Sequence, residues 1–111
     1  MFGKIASADL REDRIPAPDA DWGDVGEFAL SFDGYAHWGS FDRCAEIGNR
    51  GKQNYDDQGE LPASLTELRT CLFFEQRRFR HYGVSPEGAD LGYIRALVAA
   101  IRDKVLAQEF E

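Results

Sequence analysis

This chain is short of cysteine, of long apolar runs and of catalytic motifs, and each shortage closes off a class of function. Its 111 residues include two cysteines, Cys44 and Cys71, and neither belongs to a C-x-x-C pair. Two thiols and two scattered histidines, His37 and His81, do not assemble a zinc site. Both cysteines read as small buried hydrophobes in a reducing compartment. No metal and no cofactor is expected. No apolar run approaches the roughly 18 residues that span a bilayer. The start, Met1-Phe2-Gly3-Lys4-Ile5, lacks the apolar middle region of a secretion signal. A cytoplasmic location without a membrane partner is therefore expected. There is no internal repeat, no G-x-S-x-G, no P-loop, no H-E-x-x-H and no dinucleotide-binding glycine fingerprint.

What is present is an ordinary globular composition with an acidic balance. The apolar fraction is 43% and the charged fraction 30%, so the chain can bury a core as one domain. The formal net charge is −7, which weighs against broad binding to nucleic acid or to anionic membrane. It leaves room for a local basic patch.

The segment Ser7 to Asp21 is charged, carries Pro16 and Pro18, and has few large apolar residues. It reads as an arm over residues 1–21, extended or partly disordered. Phe2, Ile5, Leu10 and Ile15 would let it lie across the domain. Residues 22–106 then form the single helical domain.

Four helices are predicted there. The first starts at an Asp21 cap, with Val25, Phe28, Ala29, Phe32 and Tyr35 at helical spacing and Gly34 near its end. The second starts at Ser40, with Phe41, Cys44, Ala45 and Ile47 or Gly48 on one face. It decays at Asn49, and Asn49 to Glu60 reads as an exposed loop. The third has Ser64 and Glu67 as a capping box. Its stripe is Leu65, Leu68, Leu72, Phe79 and Tyr82, and Gly83 follows as the left-handed terminator. The fourth starts at Ser85 or Asp90 and carries Leu91, Ile94, Leu97, Val98, Ile101 and Val105, with Leu106 as a further candidate for the stripe. The fold class is all-α, a compact bundle of about four helices with an N-terminal arm.

Four features bear on function. Glu75 falls inside the apolar stripe of the third helix, where a charge is costly unless paired. Arg43, Arg50 and Arg95 are the arginines expected to reach it. A structural ion pair is the plainer reading, and a buried carboxylate acting on a ligand with Arg78, His37 and Tyr82 is the functional one. Whether the chain is an enzyme stays open. Next, Arg77, Arg78 and Arg80 with interleaved aromatics form a candidate anion site for phosphate or nucleic acid. Basic residues also belong at a helix C-terminus by its dipole. Phe73 and Phe74 lie off the main stripe. Either the third helix is central, or these rings form an interface with another protein or a second copy. Finally, Trp22, Phe28, Phe32, Tyr35, His37, Trp38 and Phe41 cluster within twenty positions, as a core or a pocket lining. His37 stands four residues from Asp33, the spacing of a proton-transfer pair.

The run LTELRTCLFFEQRRFRHYG, followed by Asp90 to Leu97, resembles small uncharacterised bacterial domains in which a leucine-rich helix ends in spaced arginines and a glycine before a short apolar helix. FALSFDGY and FDRCAEIGN fit the same layout, so the resemblance covers about Trp22 to Leu106. It implies a helical fold and assigns no catalytic residue. The reading that remains is a small acidic helical module that binds another protein or itself.

Overall fold

The computed structural model describes residues 14–107. Their helices are α1 (Trp22–Leu30), α2 (Gly34–Trp38), α3 (Phe41–Gln58), α4 (Leu65–Tyr82) and α5 (Gly88–Leu106), and the described residues contain no strand. Four longer helices and one short turn of helix make an all-α bundle.

α4 is the hub, and its ends are fixed by side-chain chemistry. The Ser64 hydroxyl accepts the Glu67 amide at 3.0 Å, which satisfies one of the free donors of the first turn. Gly83 ends the helix with φ 68°, and its N–H donates to the carbonyls of Phe79 and Arg80. Apolar residues wrap more than one side of this helix, and it packs against α1, α2, α3 and α5. Leu65, Leu68, Cys71, Leu72, Phe73 and Phe79 are all buried. α5 contributes Tyr93, Ile94, Leu97, Val98 and Ile101, each at 0% exposure.

Tyr82 departs from the predicted stripe. It is 67% exposed, because it sits in the last turn beyond Phe79, where no helix covers it.

α3 is twice the predicted length. Asn49 to Gln58 is helix, and the turn comes only at Gly59 with φ 69°. Two glycines, Gly48 on the expected face and Gly51 in the expected loop, act as spacers. A Cβ on Gly48 would stand 2.5 Å from Cγ of Phe74, and one on Gly51 would stand 2.5 Å from Sγ of Cys71. Both positions are buried against α4, so their missing side chains let the two helices approach. Outward-facing pairs support the same stretch: Arg43 and Arg50 with Glu46, and Lys52 with Asp56 at 2.7 Å.

The predicted first helix is broken in two. The Ser31 hydroxyl donates to the Phe28 carbonyl at 2.6 Å and ends α1. Asp33 Oδ1 then accepts the amides of Tyr35 and Ala36 at 3.0 and 3.2 Å and starts α2. Gly34 therefore opens α2 and does not close α1. At the last helix, Glu87 takes the cap position without a side-chain bond, in place of Ser85 or Asp90.

Part of the expected arm, residues 14–21, lies against the bundle. Ile15 is 5% exposed and belongs to the core, and its carbonyl accepts Arg102 Nη1 at 2.9 Å. The rest of the arm, residues 1–13, including the expected contacts of Phe2, Ile5 and Leu10, lies outside the described residues. No helix among the described residues is long and apolar enough to cross a membrane.

Candidate functional site

Two constellations gather the residues that the sequence singles out. One is buried between α4 and α5, and the other is a ring surface built on α2.

Glu75 is 2% exposed and accepts a bond from Arg78 Nη2 at 2.6 Å. The partner is its neighbour one turn along α4. Of the arginines expected from other segments, Arg43 and Arg50 pair with Glu46 and Arg95 is exposed. Arg78 Nη2 also reaches Asp90 Oδ1 on α5 at 3.3 Å, and Lys52 on α3 stands 3.8 Å from the same oxygen. One carboxylate of α5 is thus shared by cations of two other helices. Burial pushes the Glu75 carboxyl above its usual range, and Arg78 and Lys52 only partly offset that. Arg78 is held above its usual value: burial opposes its charge, and the contacts with Glu75 and Asp90 outweigh it.

Next to this pair lie two groups with suppressed chemistry. The Cys71 thiol is pushed up to about 12, first by burial, while the Tyr93 hydroxyl bears on it in the opposite direction. Cys71 Sγ points at the Ile47 carbonyl, 3.7 Å away. Burial raises Tyr93 as well, and its hydroxyl is enclosed without a hydrogen-bond partner among the described residues. Neither the thiolate nor the phenolate forms near neutral pH in such a place. Tyr93 and its 0% exposure are not evident from the sequence, because Gly92-Tyr93 interrupts the aliphatic stripe.

The four residues of the candidate ligand site do not converge. Glu75 and Arg78 meet, Tyr82 is exposed with its ring 5.4 Å from His81, and His37 lies tilted against Phe32 and edge-on to Trp38. Two surface clefts, of about 190 and 470 Å³, are lined around Arg50, Asn54 and Glu67 and around Arg14, Ile15 and Phe28. Neither is lined by Glu75, Arg78, His37 or Tyr82. The Asp33 carboxylate caps α2 and is occupied there. Among the described residues no group of three or more His, Cys, Asp or Glu is placed to hold a metal ion.

Arg69 is a second buried charge, 4% exposed, which the sequence pattern does not single out. Its Nη2 donates to Ser31 Oγ at 2.8 Å, and its guanidinium lies 5.0 Å over Phe32 and 5.7 Å over Phe28. It ties α4 to the break between α1 and α2.

The second constellation grows from the same region. Trp38 Nε1 donates to Thr70 Oγ1 at 3.0 Å, which pins α2 to α4. Phe73 is buried inside the chain: the Tyr35 ring meets it edge-on at 4.9 Å, and Gly34 packs against it. Phe74 is half-buried over Gly48. Neither ring of the predicted interface pair is a free surface, because central placement of α4 uses both. Phe41, at 61%, and His37 are exposed, and the Phe41 ring is tilted 40° against Tyr35 with centroids 5.3 Å apart. The Arg77 guanidinium stands 5.8 Å from the Tyr35 ring, and Arg43 stands 5.5 Å from Trp38. The result is a tiled surface of Tyr35, His37, Trp38 and Phe41 edged by arginines.

No family model matches this chain, and neither the curated proteins nor the solved structures supply a match.

Proposed function

We propose that this protein is a protein-interaction module whose contact surface is the ring tile of α2 together with Phe41 at the start of α3. The observation that carries the reading is the 61% exposure of Phe41 on a foundation of two further rings. An isolated exposed leucine needs no explanation. A phenylalanine held rigid on Tyr35, which is itself braced by Phe73, loses little freedom on binding and brings a large apolar area to the contact. Aromatic rings and arginine are the residue types that dominate binding energy at protein surfaces.

An enzymatic reading through Glu75 has less support. The carboxylate is occupied by Arg78 and lines neither cleft. Binding of phosphate or nucleic acid at Arg77, Arg78 and Arg80 loses one of its three cations, since Arg78 is committed to Glu75 and Asp90.

The test is affinity capture from source cells with three forms of the chain: wild type, Phe41→Ser, and Leu106→Ser. Leu106 is a comparably exposed apolar residue at the far end of α5 (53%). The proposal expects a partner, or a second copy detected by light scattering, that is lost with Phe41→Ser and kept with Leu106→Ser. Equal behaviour of the two variants contradicts it.

A further inference from the structure

We infer that the partner of this surface presents an acidic segment, an apolar side chain flanked by carboxylates, to a cationic strip that continues the tile along α4. This deepens the interaction reading and rests on it.

The strip follows from helical spacing. Thr70, Phe73 and Arg77 lie three and four residues apart, on one face of α4. α2 covers that face: Trp38 bonds Thr70, Tyr35 meets Phe73, and Arg77 stands over Tyr35. Arg80 and His81, three and four residues further, carry the same face past the end of α2. Arg77, Arg80 and His81 are all exposed. Tyr82 and Val84 beside them are 67% and 57% exposed.

Arg43, Arg50, Lys52 and Arg78 each pair with a carboxylate. Arg77 and Arg80 pair with none among the described residues; exposed Arg95 pairs with none either, but it lies on α5, outside this strip. Two neighbouring arginines, without internal carboxylates and bordering an exposed ring, complement an acidic ligand.

The whole-chain charge of −7 selects among anions. It repels any polyanion at long range, but at about 0.15 M salt that repulsion is screened beyond roughly 8 Å, while contact pairs persist. A nucleic acid gains affinity mainly by neutralising many phosphates, and two arginines on an acidic body supply little of that. A short acidic peptide needs only local pairs, and its apolar residue gains the Phe41 contact.

Fluorescence anisotropy at about 0.15 M salt tests this with three labelled probes: a leucine–glutamate peptide with helical spacing, its leucine–glutamine counterpart, and a single-stranded oligonucleotide. The expected result is binding of the glutamate peptide about tenfold tighter than of the glutamine peptide. That preference disappears in Arg77→Glu/Arg80→Glu and survives in Arg77→Lys/Arg80→Lys, with circular dichroism unchanged in both. The inference is overturned if the glutamate peptide does not bind, if glutamine serves equally well, if charge reversal leaves binding unchanged, or if the oligonucleotide binds more tightly than the peptide. Failure here while Phe41→Ser still abolishes partner capture removes the acidic partner and leaves the interaction surface standing. Failure of both removes the surface.

Discussion

Arg78 reaches back one turn along α4 to place Nη2 2.6 Å from Oε1 of Glu75, and the same nitrogen touches Asp90 on α5. A charge that looks misplaced in an apolar stripe is thus the inner end of a bridge joining two helices, with Lys52 of α3 at its outer end. At the Glu75 end burial is the larger influence, whereas at the Arg78 end the contacts with Glu75 and Asp90 outweigh it.

Removing one partner should therefore cost more than neutralising the other. Arg78→Ala leaves a buried, unpaired carboxylate, and a loss of about 3 kcal/mol at neutral pH is expected. Glu75→Gln keeps the shape and leaves Arg78 its contact with Asp90, so stability within about 1 kcal/mol of wild type, or above it, is expected. The double variant should be more stable than Arg78→Ala alone. Urea unfolding of the three variants measures each value.

The pH dependence has a definite sign. The folded pKa of Glu75 lies above its ordinary value of 4.5, so the native state holds the proton more tightly than the unfolded chain. Its contribution is fully present below about 4.5 and is lost as pH rises through the folded pKa. The stability of wild type relative to Glu75→Gln should fall over that window and level off above it. A difference that rises with pH would mean that pairing outweighs burial.

Packing of α3 on α4 yields a contrast between glycines. Gly51→Ala forces a methyl group against Cys71 and the Tyr93 hydroxyl, and a loss of about 2 kcal/mol is expected. Gly92 lies inside α5, exposed, with nothing within 4 Å of the place a methyl group would take, so Gly92→Ala should gain about 0.5 to 1 kcal/mol. Thermal unfolding by circular dichroism compares the two.

Both thiols should be silent in the native protein. Cys44 and Cys71 are each at 0% exposure, and burial raises both pKa values. Reaction with a thiol reagent at pH 8 should follow global unfolding, and two equivalents should react at one common rate set by opening. Fast labelling of either thiol in native buffer would contradict the packing described.

Much of the bundle is legible in the sequence where local chemistry and periodicity agree. Asp21, Ser40 and Ser64 cap the helices assigned to them, Gly83 ends α4, and Ile94, Leu97, Val98, Ile101 and Val105 of α5 are buried, whereas Leu106 at the end of that stripe is 53% exposed. The features that are not legible share a cause: they depend on what stands opposite. Asn49 to Gln58 is polar in composition, yet Gly48 and Gly51 pack against side chains of α4, which no local pattern reveals. Phe73 takes the central-helix placement, one of its two expected readings, because α2 folds over it, while Phe41, expected on a packed helix face, is exposed. Glu75 is legible as an anomaly, but its partner sits one turn away and not on a distant segment.

Site-specific photo-crosslinking in source cells reports whether the tile around Phe41 is where this protein meets its partner. A photoreactive phenylalanine is placed at position 41 or, as control, at position 106. A discrete adduct is expected from position 41, weakened by Arg77→Glu/Arg80→Glu, with none from position 106. No adduct at position 41, or the same adduct from both positions, would rule the tile out as the contact surface.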